Sequence, residues 1–262
     1  MYTISAALLC SIGCVRGNNE DNFLFFGDYL RQREMNAGMH LVCRTETEEL
    51  LLGVFDGMGG GDFGERASAR AAERMAAGQE KILKDPSDKT LKKQLREISE
   101  EIADEAEKLG AGTMGTTAAV LRLRGREALV ANVGDSRVYL LRDGALRLLS
   151  RDHSLVYEQV LAGHLTMEEA RLHPRNNAIT RYVGMRSRDG DDLVAVKTVE
   201  ARAGDRYMIC SDGISDLLPA ERMQSLMAEG KDADDTTRAL VLAALEMGGK
   251  DNATCAVLDL EN

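Results

Sequence analysis

Residues 39–78, MHLVCRTETEELLLGVFDGMGGGDFGERASARAAERMAAG, contain two short β-rich runs followed by an alanine-rich run. The runs 39–45 and 49–56 are joined by a polar turn, which predicts a hairpin of antiparallel strands. The run 64–78 has helical composition and predicts a helix between Phe63 and Gly78. Blocks of strands followed by blocks of helices are typical of layered α+β domains, so we predict an α+β fold.

Outward from this stretch the same organisation continues in both directions. No segment is rich enough in Pro, Gly or Ser to be a linker, so we predict one domain over residues 1–262. The other predicted elements are a hairpin of strands 6–14 and 22–28, a helix 87–109 ended by Gly110, strands 116–124, 127–134, 136–144 and 145–150 with an Asp143–Gly144 turn between the last two, a helical stretch 155–173, strands 193–201, 205–210 and 252–260, and helices after Leu218 and Asp232.

The overall charge excludes one large class of partners. The chain has 262 residues and a net charge of -10. Nucleic-acid binding normally needs a basic face that releases counterions from phosphates, so we expect no nucleic-acid partner. The acidity fits either surplus surface carboxylates or carboxylates that hold cations, and composition does not separate the two.

The cysteines and the N-terminal run bear on the compartment. Five cysteines without a C-x-x-C spacing indicate neither disulfides nor a thiolate zinc site, and a reducing cytoplasm is expected. The apolar run Ile4 to Cys14 has no preceding Lys or Arg and is broken by Ser and Gly, so it predicts a buried strand rather than a leader. No stretch approaches the roughly 20 apolar residues that span a bilayer. We expect a monomer without a membrane partner.

Acidic residues gather at the ends of the predicted strands. An isolated Asp-Gly only signals a turn, but several such carboxylates on a rigid frame can converge on one cleft and hold cations. Because the candidate ligands are oxygens, Mg²⁺ or Mn²⁺ is implied rather than zinc. Two such ions about 4 Å apart activate water for attack on a phosphoryl group, and Arg16 offers a fork for the phosphate oxygens. A phosphomonoesterase is predicted, with candidate residues Arg16, Glu20, Asp21, Asp56, Asp135, Asp212, Asp216 and Asp251.

The motifs occur in an order that resembles a known family. From about residue 3 to residue 260 the chain is similar to metal-dependent protein phosphatases of the 2C type, particularly their compact bacterial members. Each motif is weak alone, but the ordered set is specific. The motifs are RGNNED (16–21), VFDGMGGGDFGERAS (54–68), MGTT (114–117), NVGDSRVYLL (132–141), RDHSLV (151–156), ITRYVG (179–184), ICSDGISD (209–216) and KDNATC (250–255).

The resemblance implies a four-layer α-β-β-α sandwich of two antiparallel sheets with a dinuclear Mn²⁺ or Mg²⁺ centre at one end. It implies hydrolysis of phosphoserine and phosphothreonine by metal-bound hydroxide, in signalling with a cognate Ser/Thr kinase. It also implies that residues 155–177 form a variable flap that touches substrate. The implied roles are Asp56 bridging both ions, Asp212 and Asp251 completing the first, Glu20, Asp21 and the Gly57 carbonyl on the second, Asp135, Asp212 and Asp216 at a third, weaker site, and Arg16 on the phosphate.

Some positions depart from the family pattern or are assigned no catalytic role. Met58 and Gly61 stand where other members carry histidines, so a metal-bound water is the expected proton donor. The chain's own histidines are expected to be structural, and the motif of His153 to cap the next helix through Asp152 or Ser154. The other histidines are His40, His164 and His173.

Two other functions remain as alternatives. The run Cys10, Gly13, Arg16 has the C-x-x-G-x-x-R spacing of thiol-dependent tyrosine phosphatases, but a polar turn and a strand follow Arg16 where those enzymes have a helix. The second alternative is a catalytically dead 2C-like binding module, which usually lacks metal ligands.

Overall fold

The computed structural model describes residues 2–59, 63–186 and 192–261. Within them are twelve strands, seven α-helices and a 3₁₀ helix at Gln32–Ala37. The strands are β1 (Tyr2–Ser11), β2 (Asp21–Phe25), β3 (Met39–Thr47), β4 (Glu49–Gly59), β5 (Met114–Thr116), β6 (Ala118–Arg124), β7 (Glu127–Val133), β8 (Arg137–Arg142), β9 (Ala145–Leu148), β10 (Ala195–Glu200), β11 (Arg206–Cys210) and β12 (Ala253–Glu261). The helices are α1 (Phe63–Lys84), α2 (Lys89–Leu109), α3 (Leu155–Leu161), α4 (Met167–Arg171), α5 (Asp212–Ser215), α6 (Ala220–Glu229) and α7 (Ala233–Glu246).

Two antiparallel sheets stack face to face between layers of helices. The first has the order β3-β1-β12-β11-β8-β9, and the second β10-β7-β6-β4-β2 with β5 paired to β4. One apolar core lies between the sheets and includes Leu8, Phe23 and Leu258. Helices α1 and α2 cover the second sheet, whereas α5, α6 and α7 cover the first. The predicted α+β class and the four-layer α-β-β-α sandwich are confirmed.

The two predicted N-terminal hairpins are wrong. Strand β1 pairs with β3 and β12, whereas β2 pairs with β4, so consecutive strands lie in opposite sheets. Strand β2 and much of β1 and β4 are buried on both faces, so their apolar runs carry no pattern that distinguishes a turn within one sheet from a crossing to the other. Strand β3 alternates between exposed and half-buried residues, a pattern that does not specify its partner either. The predicted Asp143–Gly144 hairpin turn is confirmed: φ is 53° and 75°, as a type I′ turn requires.

The helices begin and end close to the predicted positions, with two differences. Helix α1 continues through Gly78 because this glycine serves packing: a Cβ there would lie 2.9 Å from the Gln94 side chain of α2. The stretch 155–173, predicted as one helical region, is two short helices separated by Gly163, whose φ is 75°. Ser154 caps α3 by accepting a hydrogen bond from the Tyr157 amide at 3.2 Å, as predicted.

The N-terminal run is the buried strand β1, as its sequence predicts. Among the helices of the described residues, none combines the length and apolar character needed to cross a membrane.

Candidate metal centre

Two predicted carboxylates lie opposite each other on neighbouring strands of the second sheet. Asp21 begins β2 and pairs with Asp56 near the end of β4. The backbone of Asp56 is held on its other side, where its amide donates to Thr117 Oγ1 at 3.0 Å and its carbonyl accepts from Thr116 Oγ1 at 2.9 Å. Asp21 is fully buried and accepts a hydrogen bond from Ser211 Oγ at 2.7 Å. The two sheets are thus joined beneath these carboxylates.

Glycines make room for Glu20 beside Asp56. The Gly57 amide donates to the Glu20 carbonyl at 3.0 Å. A Cβ at Gly57 would lie 2.2 Å from the Gly64 carbonyl oxygen, and a Cβ at Gly64 would lie 2.6 Å from Glu20 Oε1. Glycine at positions 57 and 64 therefore leaves room for the Glu20 backbone and carboxylate, which occupy the space that a side chain would fill.

The first sheet contributes the other two carboxylates from adjacent strand ends. Asp212 follows β11 at the start of α5, and Asp251 precedes β12. Asn252 fixes this region to the 16–21 turn. Its Oδ1 accepts from the Glu20 amide at 2.8 Å, and its Nδ2 donates to the carbonyls of Ile12 and Asn18, each at 2.9 Å. The KDN and RGNNED segments, distant in sequence, are therefore held together.

Arg16 points into the same place. Its Nη2 donates to Asp251 Oδ2 at 2.7 Å, with roughly half of the Arg16 side chain exposed. The pKa of Arg16 is raised first by this hydrogen bond and further by the charges of Asp251, Glu20 and Asp212. The guanidinium remains a cation next to the carboxylates.

These residues line a cavity of about 230 Å³ where the two sheets meet. Two predicted site residues lie outside it: Asp21 is buried beneath, and Asp216 lines two adjoining cavities. The cavity brings together Arg16, Glu20, Asp56, Gly57, Asp135, Asp212 and Asp251, together with Met58, Gly59, Thr117, Asn177, Ile179 and Asn252.

The carboxylates raise one another's pKa. Burial raises the pKa of Asp21 to about 7, assisted by the charges of Asp251 and Glu20. Burial is also the largest cause that raises the pKa of Asp56 and of Asp212, and the second is the charge of another carboxylate: Asp212 for Asp56, and Asp135 for Asp212. Several negative charges thus share a site that lacks enough positive charge to balance them.

The donor set fits divalent cations that prefer oxygen. The buried Oδ1 atoms of Asp21 and Asp212 have no hydrogen-bond partner. A buried carboxylate oxygen without a partner costs folding free energy unless a cation binds it. Within the described parts of the chain, however, no three His, Cys, Asp or Glu side chains form a group that could hold an ion as they stand. Asp251 is turned toward Arg16 instead, so cation binding requires side-chain rotation in a cavity whose backbone is already in place.

Of the predicted third-site residues, Asp135 and Asp212 line this cavity, whereas Asp216 lies beside it and contacts the flap. Burial and the charges of Asp152 and Asp216 raise the pKa of Asp135 to about 7, and burial is the main cause that raises that of Asp216 to about 6. Asn176 Nδ2 donates to Asp216 Oδ2 at 2.7 Å, and Arg171 Nη1 donates to the Asp216 carbonyl at 2.8 Å. Residues 171–176 of the flap are therefore attached to this carboxylate.

A comparison with known families identifies the family of this chain. The protein phosphatase 2C family model matches residues 31–245. This chain belongs to the protein phosphatase 2C family. As a member of this family, it is a metal-dependent protein serine/threonine phosphatase. Every carboxylate position that the family resemblance assigns to the metals carries an acidic side chain here, which gives no support to a catalytically dead module.

Individual 2C phosphatases resemble the chain over nearly its whole length. The serine/threonine phosphatase stp of Listeria monocytogenes is 30% identical over 240 residues, which are 90% of this chain and 94% of stp. The crystal structure of PstP/Ppp from Mycobacterium tuberculosis has a TM-score of 0.81 at 31% identity and covers 99% of this chain and 100% of its own. The PstP catalytic domain in complex with two manganese ions has a TM-score of 0.79 at 29% identity and full coverage of both chains.

The thiol alternative fails on the structure of this 2C phosphatase. Cys10 lies in strand β1, is 2% exposed, and accepts hydrogen bonds from Asn19 Nδ2 and Thr254 Oγ1. Burial raises the pKa of its thiol to about 12, so it is protonated at neutral pH. Arg16 meets Asp251 rather than a phosphate loop around Cys10.

Each of the four histidines of the 2C phosphatase has a hydrogen-bond partner within the chain. His153 is buried, its Nδ1 accepts from the Gly134 amide at 3.2 Å, and burial lowers its pKa to about 4. His153 thereby holds the loop that carries Asp135. His40 in β3 bonds to Asp234, and His164 bonds to Gln159. Met58 lines the cavity, whereas Gly61 lies outside the described residues.

Several residues that hold the site together were not predicted individually. Ser211, Asn252 and Thr117 fix the carboxylates through their backbones or by hydrogen bonds, and Asn176 contacts Asp216. Ser211 and Asn252 each stand next to a predicted ligand within its motif, which was an available signal. Asn176 carries no such signal, since its role depends on where the flap folds.

Proposed function

We propose that the cavity lined by Asp56 is the catalytic centre and that it hydrolyses phosphoserine and phosphothreonine in proteins with two Mn²⁺ or Mg²⁺ ions. One observation carries the proposal: the buried carboxylate oxygens of Asp21 and Asp212 lack partners beside a cavity that also exposes the Arg16 guanidinium. Carboxylates that need cations and a guanidinium that suits phosphate then occupy one site.

The proposed ligands come from both sheets. Asp56 would bridge both ions. Asp212 and Asp251 from the first sheet would complete one ion, and Glu20, Asp21 and the Gly57 carbonyl would serve the other. Asp21 lies beneath the cavity, which suits support through an intervening water. Asp135, Asp212 and Asp216 would form the third, weaker site.

The reaction needs little more from the protein than positioning. When bound, the ions act as Lewis acids that lower the pKa of water and neutralise the phosphoryl charge. Arg16 would bind two phosphate oxygens with its planar fork and orient the phosphorus for in-line attack. Met58 carries no titratable proton, so a cavity water would supply the proton to the leaving oxygen.

The cellular setting is proposed from the family and the cysteines. Substrates would be phosphoproteins made by a cognate Ser/Thr kinase in signalling. Five free thiols suit a reducing cytoplasm. We also propose a monomer that acts as one domain, supported by a core that joins residues from Ile4 to Leu260. Sedimentation equilibrium tests the monomer, and phosphoproteomes with and without the gene test the substrates.

A phosphothreonine peptide assay tests the catalytic proposal. We expect turnover that depends on Mn²⁺ and little turnover of the matching phosphotyrosine peptide. Asp212→Asn should abolish turnover and weaken Mn²⁺ binding measured by calorimetry. Asp143→Asn, on the exposed β8–β9 turn, makes the same chemical change away from the cavity and should alter neither. Mn²⁺ affinity and turnover that survive Asp212→Asn would contradict the assignment, and absence of turnover in the wild type at high enzyme would contradict the function.

A further inference from the structure

A larger cavity adjoins the proposed catalytic cavity. Its volume is about 450 Å³, and it shares Asn177, Asp212 and Asp251 with the catalytic cavity. The two spaces therefore meet at the carboxylates that would hold the ions. We call the larger space the flap groove, because residues 171–177 of the flap form one of its sides.

Exposed apolar side chains line the flap groove from two different elements. Leu172 of the flap is 66% exposed, and Met247, which follows α7, is 59% exposed. Neither side chain contributes to a core in this state. Large apolar residues that meet in one concave site are typical of surfaces that are covered when a ligand binds.

The flap groove also contains a cation that is free to meet a ligand. Lys250 is exposed, and among the described residues it has no ion-pair or hydrogen-bond partner. Arg171, in contrast, is engaged by both carboxylate oxygens of Glu168 and by the Asp216 carbonyl. His173 Nδ1 accepts a hydrogen bond from the Arg175 amide at 3.1 Å, which leaves its Nε2 to donate. The groove is also lined by Asp212, Asp216 and Asp251, but the proposed ions would take up these carboxylates, which leaves donors and the positive charge of Lys250 for a ligand.

We propose that the flap groove binds the substrate polypeptide beside the phosphorylated residue and selects an acidic side chain at Lys250 and an apolar one at Leu172 and Met247. This inference rests on the proposed catalytic site, since the phosphorylated residue must lie in the adjoining cavity. An extended chain advances about 3.3–3.6 Å per residue, so the groove reaches side chains within about three positions of the phosphosite. Charge complementarity at Lys250 favours acidic phosphopeptides over basic ones.

The test uses phosphothreonine peptides that differ at one position, with Asp, Lys or Ala at each of three sites on either side. At saturating Mn²⁺, we expect kcat/KM of the wild type to favour Asp over Lys by about 3-fold at one position, as expected for an exposed charge pair. Lys250→Glu should invert this ratio. Because Lys250 neighbours Asp251, the substitution also affects metal affinity. Such an effect changes kcat/KM for both peptides by the same factor, so it cancels in the ratio.

The matched control is Lys197→Glu, which makes the same charge change on strand β10, outside the cavities described above. It should leave the ratio unchanged. A second arm uses Leu172→Asp, which alters an exposed side chain. It should lower kcat/KM about 5-fold for peptides with Leu at the selected position, relative to the same peptides with Ala.

The outcomes separate the two proposals. Mn²⁺-dependent turnover with no charge preference in the wild type, or with an unchanged preference in Lys250→Glu, would overturn the flap-groove proposal alone. Failure to hydrolyse both p-nitrophenyl phosphate and every phosphopeptide in Mn²⁺ would overturn the proposed function and the groove with it. An inverted ratio in Lys250→Glu, beside an unchanged ratio in Lys197→Glu, supports the groove.

Discussion

Arg16 Nη2 donates to Asp251 Oδ2 at 2.7 Å, so the predicted phosphate-binding cation and a predicted metal-binding carboxylate form one ion pair in the same cavity. The pair is partly exposed. Each proposed ligand would compete with this contact, so metal and phosphate binding would be coupled through it.

Replacing Arg16 should move activity and metal affinity in opposite directions. Arg16→Ala removes two hydrogen bonds to a charged phosphate worth roughly 1.5–3 kcal/mol each, so kcat/KM for a phosphopeptide should fall about 100- to 10,000-fold. Mn²⁺ should bind up to about 5-fold more tightly, because the Arg16 guanidinium no longer competes with the ion for Asp251. The effect is small because solvent screens this ion pair. Arg16→Lys keeps the positive charge beside Asp251 and serves as the control for the loss of that charge. Weaker Mn²⁺ binding in Arg16→Ala, measured by calorimetry, would contradict the coupling.

Asp56→Asn should abolish activity yet stabilise the metal-free protein. Burial and the charges of four other aspartates raise the pKa of Asp56, so its ionised form is unfavourable in the fold. Removing that charge should stabilise the fold by about 1 kcal/mol, which is roughly 2–4 °C in melting temperature for a chain of this size. Asp143→Asn is the matched control and should leave the melting temperature unchanged. A lower melting temperature for Asp56→Asn at pH 7.5 in EDTA would refute this explanation.

Stability of the metal-free protein should decrease as pH rises from about 4 to 7. Burial raises the folded-state pKa values of Asp21 and Asp135 to about 7, above the ordinary aspartate value of 3.8. Between these values the folded chain binds protons that the unfolded chain has released, so raising the pH favours unfolding, by at most ~1.4 kcal/mol per pH unit and group. Below the lower value both states are protonated and this contribution is constant.

Urea unfolding in EDTA across this pH range measures the effect. Asp21→Asn keeps an acceptor for Ser211 but cannot titrate, so its stability should depend less steeply on pH. An equally steep dependence in Asp21→Asn would show that other groups cause it. Saturating Mn²⁺ should remove much of the dependence, because cations favour the ionised carboxylates.

The sequence predicted which carboxylates come together around one cavity better than it predicted strand pairing. Asp56, Asp212 and Asp251 stand at strand ends beside turn residues, and short-range patterns reveal both features. The partner of β1 depends instead on which layer covers it, and its apolar run is buried on both faces. For the same reason Gly78 suggested a helix end, although its absence of a side chain makes room for Gln94 of a neighbouring helix. Contacts such as Asn176 with Asp216 depend on tertiary structure alone.

Asn176→Ala should loosen the flap without affecting the sheets. The Asn176 amide donates to the Asp216 carboxylate at 2.7 Å and also meets the Arg171 carbonyl at 3.3 Å. Loss of a hydrogen bond to a charged group should increase hydrogen exchange in residues 162–177, and kcat/KM for phosphopeptides should fall about 3- to 10-fold. Gln159→Ala removes the exposed contact with His164 in the same segment and is the control. Unchanged exchange in Asn176→Ala would mean that other contacts hold the flap.

Gly64→Ala should impair metal binding while leaving the fold intact. A Cβ at Gly64 would lie 2.6 Å from Glu20 Oε1, the far end of a flexible side chain, so the carboxylate can move aside without backbone change. Glu20 would then be displaced from its proposed ion, and we expect about 10-fold weaker Mn²⁺ binding with a similar loss of kcat/KM at limiting Mn²⁺. The melting temperature in EDTA should change little.

The control for this variant is Gly17→Ala, in the same 16–21 turn as Glu20. A Cβ at Gly17 meets nothing within 4 Å, so Mn²⁺ affinity should stay at the wild-type value. High Mn²⁺ should restore much of the activity of Gly64→Ala, because the displaced carboxylate weakens binding without removing Arg16 or Asp56. If Gly64→Ala binds Mn²⁺ as tightly as Gly17→Ala does, then Glu20 holds no ion, and the assignment of the second ion to this side of the cavity is wrong.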